Sequence, residues 1–412
     1  MKNKKDVFVW SLFDFANSTY ATIIVAFVFA VFFKSVIAND EPIGDLYWAL
    51  GINISMIISA VLNPVCGAIS DLSSNKKKFL FVFTLMSVIA TCMMYFTGPG
   101  TILFAIILFI VSNIGFQTGM TFYDAFIPEI TTPEYYNKLS GIGYAVGYLG
   151  SLISVFLVFP LKDNPNLLFA VTGMLFLLFS LPLFLFLKEK KNVLPPADVS
   201  YIKYGFTKVK NSLLHIGNLP NLKNFLISFF FYIDSVNTII FFAGIFASTT
   251  LGFTITQLAI FFILVQITAL IGSLVFAKLG DKIGELKSLN INIIFWLIII
   301  LAIFIFVNKD SYVDLFGQQV HLFYIIGSFA GFFLGSTQSL SRAVMSRLTP
   351  YESKAEYFGF YALLDKTSTL LGPLLFGLVS AISGDQKLAV LSLIVLFVIG
   401  IVFLNRVKLQ TN

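Results

Sequence analysis

The chain has 412 residues, 58% of them hydrophobic and 12% charged, with a formal net charge of +6. A soluble domain carries about 25% charged residues, so the chain falls outside that class and needs lipid to cover part of its apolar surface. The basic excess needs no nucleic-acid partner, because Lys and Arg follow the loops of a membrane topology.

Twelve apolar segments reach the ~20 residues needed to span a bilayer. They run over about 8–36, 46–70, 79–97, 101–124, 138–160, 166–187, 224–248, 256–277, 288–307, 320–341, 357–382 and 387–405. With the N-terminus inside, 22 of the 27 Lys and Arg fall on the cytoplasmic side. Only Lys34, Lys162, Lys309 and Lys387 fall outside, and Lys366 lies within segment eleven. The positive-inside rule then places both termini in the cytoplasm, with the inner membrane as the location in a bacterial cell. The stretch Met1–Asp6 resembles a signal-peptide n-region, but the apolar run behind it is too long and has no small-residue cleavage site. It reads as a permanent first helix.

Segment one carries Asp14-Phe15-Ala16-Asn17-Ser18, followed by Tyr20. Positions i, i+3 and i+4 share one helix face, so a carboxylate, an amide and a hydroxyl line one stripe. Segment seven repeats the pattern as Asp234-Ser235-Val236-Asn237-Thr238. A recurrence half a chain apart points to two related halves, each supplying one wall of a polar cavity. Between them, Lys188–Lys223 is the longest polar stretch. It divides the chain into residues 1–187 and 224–412, with 188–223 as a cytoplasmic linker. In the linker, Ile202, Phe206, Val209 and Leu213 recur at helical spacing among lysines, as in an amphipathic helix on the membrane face.

Segment four contains Asn113, Gly115, Gln117 and Gly119 and ends near Asp124. Segment ten contains Gly327, Gly331, Gly335 and Gln338 and ends near Arg342. Glycines at this spacing are packing devices that let helices approach closely. Segment eleven holds Asp365 and Lys366, which point about 100° apart on a helix. Asp234 lies about ten residues, or ~15 Å, into its segment, near the middle of a ~30 Å core. Cys66 and Cys92 sit near opposite ends of adjacent segments, so no disulfide is expected.

The loop after segment eight, Gly280-Asp281-Lys282-Ile283-Gly284-Glu285-Leu286-Lys287, resembles the cytoplasmic signature loop of the major facilitator superfamily. The loop after segment two keeps Gly67, Asp71 and the cations Lys76 to Lys78, but has Leu72 where a cation is usual. Longer stretches are similar to one branch of that superfamily, the "unknown major facilitator" family, which includes the yeast autophagy-related vacuolar amino-acid effluxer. These are Trp10–Tyr20, Phe122–Glu129, Ser140–Gly150, Gln338–Arg342, Phe358–Ala362 with Lys366, and Leu371–Leu374. The resemblance implies an all-α membrane protein of twelve helices in two pseudo-symmetric six-helix bundles. It also implies a carrier of small solutes, with amino acids the best-known class.

A charge near the bilayer centre costs about 2.5–3.5 kcal/mol on insertion scales, so it faces a cavity or a partner. The candidate substrate residues are accordingly Asp14, Asn17, Tyr20, Gln117, Asp234, Asn237, Gln338, Asp365 and Lys366. Asp71, Asp281, Lys282, Asp124 and Arg342 are the candidate gate. The expected function is alternating-access movement of a small polar or zwitterionic solute by a monomer in contact with membrane lipid. A lipid or lysolipid translocator and a non-transporting sensor stay open as alternatives, as does coupling to a proton or ion. No nucleotide-binding, hydrolase or zinc-protease motif is present, and neither a cofactor nor a metal is expected. The topology is checked by labelling single cysteines within 309–318, which are expected to react only from outside the cell. Reaction only from the cytoplasm would invert the assignment.

Overall fold

The computed structural model describes residues 4–73, 75–131, 136–189, 217, 219–348, 361, 364, 365 and 367–408. The linker helix expected over Ile202–Leu213 and Lys366 lie outside the described residues. The elements are almost all helical, because long apolar runs in hydrocarbon must satisfy their backbone hydrogen bonds within the segment. In chain order they are α1 (Lys4–Tyr20), α2 (Val28–Phe32), α3 (Ile43–Ser73), α4 (Lys76–Met93), α5 (Ile102–Asp124), α6 (Ile127–Ile130), α7 (Tyr136–Leu161) and α8 (Pro165–Phe186). Then follow α9 (Pro220–Thr249), α10 (Ile255–Ile283), α11 (Glu285–Phe306), α12 (Leu322–Leu348), α13 (Leu371–Ser383), α14 (Gln386–Ser392) and α15 (Ile394–Leu404).

Among the described residues, nine helical runs are long and apolar enough to cross a membrane. The first is 34 residues, Lys4–Ile37. A π-helical turn at Ala21–Ala26 joins α1 to α2, and a second one, Phe33–Ile37, ends the run. The helix α12 has 27 residues, but Ser336, Thr337, Gln338, Ser341 and Arg342 crowd its second half and keep it out of that set.

Two features depart from the expected plain spans. Segment eleven is not one helix: residues 368–370 leave the helical path before α13. The cause is Pro373, which lacks an N–H and disfavours helical backbone before it, but fits the first turn of a new helix. The loop between α11 and α12 holds an antiparallel hairpin, β1 (Tyr312–Leu315) and β2 (Gln318–His321). His321 pins it. The Phe323 N–H donates to Nδ1 at 3.1 Å, and Nε2 bonds the Asn308 carbonyl at 3.0 Å. Burial holds this imidazole below its ordinary pKa, and the neutral ring is the form that makes both bonds.

By internal contacts the chain forms two units, Met1–Asn39 with Gly51–Val209, and Asp40–Leu50 with Lys210–Asn412. Inside the first, α1 packs on α7 and α8, and α4 packs on α5 and α8. Inside the second, α9 packs on α13 and α15, and α11 packs on α12 and α15. The same neighbours thus recur in each unit. Close approach depends on small residues. A Cβ at Gly115 would lie 2.6 Å from the Phe83 carbonyl and 2.7 Å from the Ser87 nitrogen. A Cβ at Gly272 would overlap the Phe332 carbonyl between α10 and α12.

Each unit also ties one helix start to one helix end at its Lys-rich pole. Lys76 of α4 pairs with Glu129 of α6 at 3.0 Å, and Glu285 of α11 pairs with Arg347 of α12 at 2.8 Å. Glu189 adds a cap by accepting from the Lys76 N–H at 2.6 Å. Gly272→Val is expected to destabilise the protein by about 2 kcal/mol or more, as overpacking against backbone does. A thermal melt of the purified variant at the wild-type midpoint would contradict the α10–α12 contact.

Candidate functional site

The stripe of α1 meets α7 at glycine. A Cβ at Gly143 would overlap Asp14 Oδ2, and one at Gly147 would lie 2.8 Å from Ser18 Oγ. The stripe of α9 meets α13 in the same way. A Cβ at Gly372 would overlap Thr238 Oγ1 and lie 2.8 Å from Asp234 Oδ1. The repeated pattern therefore has a packing partner in each unit: the first and last polar positions bracket a glycine of the neighbouring helix.

The two carboxylates are held differently. Asp14 is partly exposed. Its Oδ2 accepts from the Tyr123 hydroxyl at 2.6 Å, a short charge-assisted bond. Asn17 reaches Oδ1 only at 3.4 Å and also faces the Met120 sulfur at 3.1 Å. Tyr123 is fixed in turn. Its ring stacks on Trp10 at 4.5 Å and on Phe13 at 4.8 Å, and the Trp10 indole N–H donates to the Tyr123 carbonyl at 3.3 Å. Inspection for charge passes over this phenol. It stands beside Asp124 in the Phe122–Glu129 stretch, so the signal is adjacent.

Asp234 is fully enclosed, with 0% exposure. Its Oδ2 accepts the Gly372 N–H at 2.8 Å. The break before α13 leaves its first amides without intrahelical acceptors, and the carboxylate of another helix takes that place. A negative group at a helix N-terminus is also favoured by the peptide dipoles.

The remaining candidates are scattered. Tyr20 is buried and its hydroxyl is 2.8 Å from Ser112 of α5. Its counterpart in the second unit is Tyr232, 2.7 Å from Ser341 of α12. Gln117 and Asn237 are half-buried, while Gln338 and Asp365 are exposed. In the candidate gate, Lys282, Asp124 and Arg342 are exposed, and the side chains of Asp71 and Asp281 are outside the described ones. Within its unit the structure brings Asp14, Asn17 and Tyr123 together. It joins Asp234 to the start of α13 rather than to another candidate. A further polar cluster, Asn292 with Ser336, Thr337 and Trp296, fastens α11 to α12, with Thr337 Oγ1 donating to Asn292 Oδ1 at 2.6 Å. No group of three metal-ligating side chains occurs among the described residues.

The family described as "Vacuole effluxer Atg22 like" matches residues 47–412. The chain belongs to this Atg22-like family. It is 30% identical to the MFS-type transporter YxiO of Bacillus subtilis (strain 168), across 98% of this chain and 95% of that one. It is 22% identical to autophagy-related protein 22 of Coccidioides immitis (strain RS), across 81% and 68% of the two chains. Among solved structures, a point variant of the nucleoside transporter NupG superposes with a TM-score of 0.73 at 14% identity, covering 98% of this chain and all of that one. A D-xylose-proton symporter gives 0.71 at 14% identity, covering 99% and 98%. The fold is thus the all-α major facilitator fold. The chain is a multi-pass membrane transporter, not an enzyme.

The Asp14–Tyr123 bond has a thermodynamic test. Asp14→Asn and Tyr123→Phe are expected to couple by about 1.5–3 kcal/mol in a double-mutant unfolding cycle, the range for bonds to charged groups. Additivity within about 0.3 kcal/mol would rule the bond out as a contributor.

Proposed function

We propose that this Atg22-like transporter moves a small polar or zwitterionic solute by alternating access, with amino acids as the leading class. The observation that carries the reading is Asp14: a partly exposed carboxylate inside a long apolar helix, oriented by one buried phenol. Such a group costs free energy in hydrocarbon unless it serves a partner or a cavity. It suits an ammonium, and in a coupled carrier a proton. Lys366 supplies the opposite charge for a solute carboxylate, and the amides of Asn17, Asn237, Gln117 and Gln338 fix its orientation. Tyr20 and Asp234, both fully buried, brace the helices that carry these groups, and Asp365 is a second candidate carboxylate for the ammonium. Asp71, Asp281, Lys282, Asp124 and Arg342 gate the Lys-rich pole. In this reading twelve helices in two six-helix bundles, joined by the 188–223 linker, place both termini in the cytoplasm. The family's description as effluxers supports export.

The test begins with thermal-shift screening of the purified protein against amino acids, peptides, sugars, nucleosides and lysolipids. Uptake of the best ligand into proteoliposomes follows. Asp14→Asn and Lys366→Gln are each expected to fold and to lose about ten-fold or more of the transport rate, the equivalent of one ~1.4 kcal/mol contact. Stabilisation by lysolipid alone, or full activity of both variants, would overturn the reading.

A further inference from the structure

The hairpin between α11 and α12 has two unlike faces. Cross-strand partners point to the same side of a two-stranded sheet, and neighbours along a strand alternate. The register Tyr312↔His321, Val313↔Val320, Asp314↔Gln319 and Leu315↔Gln318 therefore puts Tyr312, Asp314, Gln319 and His321 on one face. Val313, Leu315 and Val320 share the other with Gln318. The first face is the one that meets the protein, because His321 lies edge-on to the Phe253 ring at 4.9 Å. The apolar face is turned the opposite way, and its Val313 and Leu315 are exposed.

The tip goes against a local preference. The two-residue loop Phe316-Gly317 has positive φ at both positions, 54° and 79°. Such a loop favours Asn-Gly or Asp-Gly, and a bulky residue at positive φ is strained. Here the strained position holds a phenyl ring that is fully exposed. Asp314 Oδ1 fixes the turn by accepting the Gly317 N–H at 2.9 Å. The loop's own conformation gives no reason for the ring, so the reason lies outside the hairpin.

The base of the hairpin lies where the lipid-facing surface of α11 ends. Ile294, Ile298, Leu301 and Ile305 are exposed and recur at helical spacing, and Phe306 closes the helix exposed as well. In a membrane transporter such a stripe faces acyl chains. Ser311, just before β1, donates to the Phe306 carbonyl at 2.8 Å, and its own carbonyl accepts the Leu322 N–H at 2.7 Å. Lys387 marks the edge of the hydrocarbon at this level. Its ammonium lies 5.8 Å from the centre of the Phe304 ring and donates to Asn308 at 2.8 Å. A lysine near a helix end keeps its stem on apolar surface and its charge at the interface.

We propose that the hairpin is an interfacial anchor: Val313, Leu315, Val320 and Phe316 rest in the headgroup–acyl boundary of the bilayer, with Asp314 and Gln319 toward water. An amphipathic element binds a membrane in this way. The apolar face takes lipid because the hairpin is tied to the last turn of a helix whose exposed stripe is already in lipid. The anchor does not depend on what the chain transports.

Spin labels on the full chain in phospholipid vesicles test it. Single cysteines are placed in turn at 313, 314, 315, 316, 319 and 320, with Cys66→Ser and Cys92→Ser as the background. Collisions with oxygen, which concentrates in hydrocarbon, are compared with collisions with a water-soluble nickel chelate. Oxygen is expected to prevail at 313, 315, 316 and 320, and nickel at 314 and 319. Nickel prevailing at all six would place the hairpin in water and overturn the anchor. Exclusion of both reagents at 313 and 315 would show a protein cover and overturn it too. Phe316→Asn suits the positive φ better but removes the ring, so the label at 315 is expected to shift from oxygen toward nickel; an unchanged balance would overturn the role of Phe316. If the cysteine-free chain does not fold, Phe316→Trp in the native background decides. Trp10, Trp48 and Trp296 are buried, so the added emission is read against the wild type. Its quenching by lipids brominated just below the headgroup supports the anchor, and unquenched emission overturns it.

Discussion

Hydrocarbon offers a polar group nothing to bond, so a polar side chain placed in these helices gains from a partner in the protein. The partner it finds then fixes which helices lie together. Tyr20 to Ser112 joins α1 to α5, and Tyr232 to Ser341 joins α9 to α12. Thr22 to Ser151 adds a bond from the first run to α7 at 2.9 Å, and Ser228 donates to the Gly400 carbonyl at 2.6 Å to seat α9 on α15. Association of helices in lipid has little hydrophobic drive of its own, and small residues with interhelical hydrogen bonds take its place. The polar groups of this chain are therefore its assembly code as well as its candidate chemistry.

The repeated D-x-x-N-[S/T] stripe illustrates how one code serves two ends. Both copies sit over a glycine of a neighbouring helix, which is why the carboxylate is tolerated at all: the missing Cβ leaves room for its oxygens. In the first unit the carboxylate meets a phenol and keeps part of its surface open. In the second it is closed in and bonds a backbone amide that a broken helix has left unpaired. A side-chain partner can be exchanged for a solute without disturbing the backbone. A backbone partner cannot, because losing it would strip the first turn of α13. Of the two, Asp14 is thus the better placed to exchange partners and Asp234 the better placed to keep the framework.

The helices, the resemblance of the halves and the loop charges can be read from the chain, because they rest on composition and on the 3.6-residue period. Segment ends near 37, 124, 306 and 404 follow from where the apolar runs stop. The partners of the polar residues cannot be read, because they depend on which helices touch. Asp234 carries the same local pattern as Asp14, and only the break before Leu371-Gly372-Pro373 decides its different fate. Pro373 signals that break, yet the apolar run continues through it and masks the signal. Asp45 escapes notice for the opposite reason. It stands at the edge of segment two, where a charge needs no explanation, and only the tertiary packing buries it.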